Sequence, residues 1–202
     1  MENIPVAGII LAAGRSRRMG RDKLLLPWEE KPVLQHVIDA ASASSLSPLL
    51  LVVNQENTVL CNHINPGPCR LIRHRGGVYS DSLRAGLGAL TADCGGAMFL
   101  LGDQPLVTGA TIEKLVRAFQ EEPVRWVAPL FQGRRGNPVI APAGWFDRIL
   151  ALQGDTGPRR HLRDPAARLN LVDVDDAGVV FDVDTPEDYQ RLQELPTNPS
   201  RP

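Results

Sequence analysis

The chain has 202 residues, of which 43% are hydrophobic and 22% charged, with a net charge of −1. That length and balance fit one α/β domain with a core of its own and exclude a chain disordered over most of its length. Near-neutral charge and an aromatic content of 5% exclude a wholesale nucleic-acid binder. Cys61, Cys69 and Cys94 are odd in number and form no C-x-x-C pair, which reads as free thiols in a reducing cytoplasm. No basic segment precedes the first apolar run, and no apolar run is long enough to cross a bilayer. Neither a secretion signal nor a membrane span is therefore expected.

Residues 6–12 (VAGIILA) are uninterruptedly apolar, the pattern of a strand buried in a parallel sheet. Residues 49–53, 70–72 and 97–101 read the same way. Helical patterns lie between them at 32–45, 80–92 and 109–121. Short apolar strands alternating with helices predict right-handed βαβ units. The second half predicts strands at 124–130 and 137–141 around a turn, a helix at 143–152, a short basic helix at 159–164, and strands at 169–174 and 179–183. A last helix is expected at 186–194, with Thr185 as its cap and Pro186 in its first turn. Residues 1–195 are expected to form the domain and 196–202 a frayed tail.

Ligands of open α/β sheets bind beyond the carboxyl ends of the strands. The loop after the first strand, Gly14-Arg15-Ser16-Arg17-Arg18-Met19-Gly20-Arg21-Asp22-Lys23, places five cations between and beside two glycines. Glycines allow close backbone approach, and arginine and lysine neutralise phosphate oxygens. The loop therefore reads as a phosphate site, with a solvated basic loop as the alternative. It is neither a Walker A loop nor a G-x-G-x-x-G fingerprint. Asp103 follows the strand 97–101 and suits a hard cation such as Mg²⁺, or else an Asx turn or helix cap. Asp182 and Asp184 share one face of the strand expected at 179–183. Asp184, nearer its exit, is preferred as a second metal ligand, with helix capping as the alternative; Asp188 is assigned to capping. In the segment 75–82, Ser80 reads as an N-cap. The basic loops at 133–138 and 154–161 suit either a second anion or plain solvation.

LAAGRSRRMGRDK, GDQP, the segment from Gly133 to Val139, GDTGPR and DVDTPEDY resemble, in the same order, blocks of the nucleotidyltransferases related to molybdenum cofactor cytidylyltransferase, the MobA-like NTP transferases. The resemblance runs from about residue 6 to 192. It implies a single Rossmann-like, three-layer α/β domain with a mostly parallel sheet. It also implies a nucleoside triphosphate, Mg²⁺ and release of pyrophosphate. By position, Gly14, Ser16, Arg18 and Lys23 would hold the triphosphate, with Arg18 and Lys23 catalytic. Leu11, Ala12, Ala13, Gly77 and Ser82 would lie near the base and sugar. Asp103 and Asp184 would bind Mg²⁺. The implied partners are CTP, molybdopterin as phosphorylated acceptor, and a molybdoenzyme recipient. Transfer to a sugar, alditol or isoprenoid-precursor phosphate is the neighbouring alternative, and a non-catalytic cofactor-binding chaperone the distant one.

Overall fold

A computed structural model describes residues 4–14, 19, 22–91, 93–164 and 166–195. In chain order the strands are β1 (Val6–Ala12), β2 (Pro27–Trp28), β3 (Lys31–Pro32), β4 (Leu49–Asn54), β5 (Arg70–His74), β6 (Gly96–Leu101), β7 (Trp126–Phe131), β8 (Arg134–Arg135), β9 (Val139–Pro142) and β10 (Leu169–Asp173). The α-helices are α1 (Val33–Ser42), α2 (Thr58–His63), α3 (Tyr79–Gly88), α4 (Gly109–Glu121), α5 (Phe146–Leu150) and α6 (Pro186–Glu194). The main sheet has the order β10-β7-β9-β6-β1-β4-β5, with β8 paired to β7. Along that path every neighbouring pair is parallel except the two that β9 makes, with β6 and with β7.

The sheet is buried on both faces because each inner strand is apolar at successive positions. Val6, Ile10 and Ala12 of β1 join Leu51, Val53, Met98 and Leu100 in a core closed by Leu34, Ile38, Ile112 and Phe119 of α1 and α4. Ala7, Ile9 and Leu11 point the other way, to Leu83 and Leu87 of α3 and to Trp145 and Ile149 before and within α5. This is the expected Rossmann-like three-layer α/β domain. A third, smaller cluster joins Leu26, Trp28 and Val33 to Val183, Tyr189 and Leu192, and so seats α6 on the β2–β3 hairpin. The Tyr189 hydroxyl donates to the Pro27 carbonyl at 2.6 Å.

Four local expectations are corrected. The strand expected at 179–183 is a 3-10 turn, Ala177–Val180, followed by extended chain outside any ladder. Asp176 Oδ1 accepts from Gly178 N–H at 2.9 Å and so closes a local turn in place of a ladder, and Gly178 packs so near the Leu106 backbone that a Cβ would not fit. The basic helix is the 3-10 segment Pro158–Arg163, and the helix expected at 143–152 divides into the 3-10 turn Ala143–Trp145 and α5. Ser80 is not a cap. Val78 is the N-cap residue of α3, and the Asp81 carboxylate accepts from the Gly77 and Val78 N–H groups at 3.0 and 3.3 Å.

Candidate active site

The chain order reverses at β1, which leads to β4 and β5 on one side while β6 flanks it on the other. The loops after β1 and β6 therefore diverge at the carboxyl edge and leave a crevice. A cleft of about 520 Å³ opens there, and Leu11, Ala13, Gly14, Lys23, Gly77, Ser82, Asp103 and Asp184 all line it. Ala12 does not. It is 2% exposed and belongs to the core on the α1 face, as period-two alternation from Leu11 requires. Ser16 and Arg18 lie outside the described residues, as do Arg15, Arg17, Gly20 and Arg21.

Asp103 and Asp184 meet because the chain ties them at the backbone. Val183 N–H donates to the Asp103 carbonyl at 2.9 Å, holding the segment before α6 against the end of β6. On the α6 side, Asp188 Oδ2 accepts from Asp184 N–H, Thr185 N–H and the Thr185 hydroxyl, at 3.2, 2.9 and 2.8 Å. Thr185 returns the bond from Asp188 N–H, completing a capping box and confirming Asp188 as a capping residue.

Lys23 stands between the two carboxylates. Its Nζ is 2.5 Å from Asp103 Oδ2 and 2.6 Å from Asp184 Oδ1. Burial pulls its pKa down, but the charges and hydrogen bonds of Asp103 and Asp184 outweigh it, and the net shift is upward. Lys23 is placed by Asp22, whose carboxylate caps the following turn at Leu24 N–H and accepts from Asn57 Nδ2 at 2.6 Å. Asp103 Oδ1 is buried with no hydrogen-bond partner among the described residues. A buried carboxylate oxygen left open, beside a second carboxylate bridged by a cation, is a donor set that fits a hard divalent ion.

The opposite wall is the start of α3. Gly76 N–H donates to His74 Nδ1 at 3.0 Å, and His74 Nε2 is 3.2 Å from Ser82 Oγ. A backbone N–H only donates, so Nδ1 accepts and the neutral ring carries its proton on Nε2, toward Ser82. Burial lowers the His74 pKa, against the charge of Asp81, which favours that neutral form. Gly14 is also informative: a Cβ there would meet nothing within 4 Å among the described residues, and its φ is not positive. The fold itself does not demand glycine there, and the space lies at the cleft.

Sequence reading overlooked Tyr79 and Asp155, both of which line the cleft. Tyr79 N–H donates to Asp155 Oδ1 at 3.2 Å, so the GDTGPR block, rather than Ser80, helps to cap the start of α3. Asp182 turns to Gln104, whose Nε2 donates to it at 2.5 Å. Desolvation and then the charge of Asp103 raise the Asp182 pKa.

Residues 8–172 match the MobA-like NTP transferase domain. The purine catabolism protein PucB of Bacillus subtilis is 29% identical across 92% of this chain and 95% of its own. The nicotine blue oxidoreductase of Paenarthrobacter nicotinovorans is 27% identical across 93% and 96%. A 2-C-methyl-D-erythritol 4-phosphate cytidylyltransferase of Dehalococcoides mccartyi is 34% identical across 57% and 53%. Among solved structures, Rv0371c of Mycobacterium tuberculosis superposes with a TM-score of 0.84 at 27% identity, covering 96% of this chain and 100% of that one. The same protein has been solved in complex with manganese, with a TM-score of 0.81 at 25% identity, covering 95% and 100%. With the match spanning most of the sheet that builds the cleft, the chain belongs to the MobA-like NTP transferase family and is a nucleotidyltransferase.

Proposed function

We propose that the protein transfers the cytidylyl group of CTP to the phosphate of molybdopterin, releasing pyrophosphate, and passes the dinucleotide cofactor to a molybdoenzyme in the cytoplasm. Residues 1–195 form the catalytic domain in this reading. The observation that carries it is the Lys23 ammonium bridging Asp103 and Asp184 at the floor of the cleft. Nucleotidyl transfer needs positioned charge rather than a covalent nucleophile, and these three groups are such a set.

Gly14, Lys23, Ser16 and Arg18 hold the triphosphate, the last two assigned from the sequence pattern. Leu11, Ala13, Gly77 and Ser82 receive the base and sugar, where small side chains suit a pyrimidine. Asp103 and Asp184 would hold Mg²⁺, which when bound supplies charge neutralisation at the α-phosphate. The manganese complex of Rv0371c supports a divalent ion in this fold. Lys23 and Arg18 stabilise the charge that grows on the leaving pyrophosphate. The likeness to an erythritol-phosphate cytidylyltransferase supports the cytidylyl group and makes a small polyol phosphate the competing acceptor.

Asp103→Asn tests the assignment. It keeps the side-chain volume and removes the charge, so turnover should fall by orders of magnitude in a protein whose circular dichroism and cooperative melting show the fold retained. Wild-type turnover in a folded Asp103→Asn protein would leave Asp103 as a turn residue.

A further inference from the structure

We propose that Arg135 and Arg159 form a separate anion subsite on the Tyr79–Asp182 side of the cleft, and that it receives the phosphate of the acceptor. The inference rests on the nucleotidyl-transfer reading and gives that reaction its second binding site.

The first observation is the distribution of charge. Residues 123–172 contain eight arginines and three acids, in a chain whose net charge is −1. The remainder is therefore net acidic, and apart from the five cations of the loop after β1 the excess positive charge lies in the segment that supplies β8 and the 154–163 loop.

The second is how two loops of that segment are fixed. After β8, Gly136 N–H donates to the Pro129 carbonyl and Asn137 N–H to the Val179 carbonyl, at 2.9 and 2.8 Å. A Cβ on Gly136 would come within 2.2 Å of the Val179 oxygen, so the loop is pressed against the segment leading to Asp182 and Asp184. The other loop is clamped to the start of α3. Asp155 accepts from Tyr79 N–H, Ser80 N–H donates to the Gly154 carbonyl at 3.2 Å, and a Cβ on Gly157 would lie 2.6 Å from Tyr79 Cε1. Arg159 thus hangs from backbone anchored to a wall of the cleft, and Arg135 from backbone anchored to the segment that runs on to Asp184.

The third is that neither arginine has a carboxylate at salt-bridge distance among the described residues, whereas Arg84, Arg125 and Arg148 each have one. Arg159 feels Arg135 as a like charge. Desolvation and then Arg135 lower its pKa, with Asp182 and Tyr79 opposing. Asp182 is already engaged by Gln104, a residue 2% exposed. Two guanidinium groups that repel each other, with one committed carboxylate nearby, are stabilised by an incoming dianion. Two planar forks suit the oxygens of a phosphate monoester. The triphosphate cations belong to a different loop, after β1.

The test titrates inorganic phosphate, followed by calorimetry, into the protein alone and saturated with α,β-methylene-CTP. The variants are Arg135→Met, Arg159→Met and the neighbouring Arg160→Met; all three arginines are exposed, and unchanged circular dichroism checks the fold. Arg135→Met and Arg159→Met should each weaken phosphate binding at least tenfold, and Arg160→Met less than twofold. Affinity for the CTP analogue should stay within twofold throughout. Wild-type phosphate affinity in Arg159→Met, equal losses in all three variants, or a matching loss of analogue binding would each overturn the subsite. If the analogue binds no form of the protein while phosphate behaves as described, the subsite stands and the cytidylyl reading falls.

Discussion

In the proposed mechanism Lys23 has two roles that pull in opposite directions, and they separate experimentally. With no ligand bound it neutralises Asp103 and Asp184 at 2.5 and 2.6 Å. A divalent ion seeking both carboxylates must compete with that ammonium. Lys23→Met should therefore bind Mn²⁺ without nucleotide roughly tenfold or more tightly, since a unit charge a few ångströms away contributes ~4 kcal/mol at an effective dielectric constant of ~20. Paramagnetic resonance of free Mn²⁺ reads this directly, and unchanged or weaker binding would show that Lys23 does not compete. Turnover should move the other way. Losing one preorganised charge costs roughly 10²–10³ in kcat. A change confined to the nucleotide KM would reduce Lys23 to uniform binding.

His74 is the second residue with a measurable signature. Its pKa is lowered from 6.5 by burial, against Asp81. The folded protein thus binds its proton less readily than the unfolded chain. Its contribution to stability is complete above pH 6.5 and is lost as pH falls below that value through the folded pKa. His74→Asn keeps an acceptor for Gly76 N–H but neither titrates nor reaches Ser82. Urea unfolding at pH 7.5 and 5 should show a smaller acid-induced loss in the variant, and its CTP KM should rise. An unchanged pH slope would mean that His74 titrates alike in both states.

At the scale of elements, α3 owes its place to glycine. Gly86 lies where a Cβ would meet Ile9 Cγ2 at 2.5 Å and Val52 Cγ2 at 3.0 Å, both on fully buried branched side chains. Alanine gains about 1 kcal/mol of helix propensity, but overpacking a rigid sheet surface costs about 1–3 kcal/mol. Gly86→Ala should therefore destabilise the fold by up to about 2 kcal/mol and shift Ser82 and Tyr79 outward, raising the nucleotide KM. A stabilised Gly86→Ala protein would mean that the helix can lift at no cost. The β2–β3 hairpin and α6 do the corresponding work on the other wall, where Tyr189, Leu192 and Val183 share one cluster with Trp28.

Across the whole molecule, legibility followed the reach of each signal. β1, α4 and α6 are plain in the sequence because an unbroken apolar run, a helical stripe and a Thr-Pro start are local patterns. The β2–β3 hairpin is not, because its turn puts Glu29 and Glu30 at φ of 44° and 68°. Those positions favour glycine or asparagine, and nothing in the letters announces them. The segment 179–183 misleads because its apolar alternation serves a turn held by Asp176 and packed under α6. Asp103 is legible by type and strand-end position, whereas Asp184 is legible by type alone, since the strand expected before it is a turn. The ammonium between them is not, since it depends on a loop folded back through Asp22 and Asn57. Tyr79, Asp155 and the tautomer of His74 likewise exist only once β5, α3 and the 154–157 loop are assembled.

Cytidylyl transfer to molybdopterin is the central claim, and a nucleotide panel tests it most directly. CTP, UTP, GTP and ATP are each incubated with Mg²⁺, with and without molybdopterin, while pyrophosphate release and product mass are followed. The account predicts pyrophosphate with CTP and molybdopterin together, and a product heavier than the acceptor by one cytidylyl group. Preference for GTP, or pyrophosphate formed only with a polyol phosphate in place of molybdopterin, would contradict it.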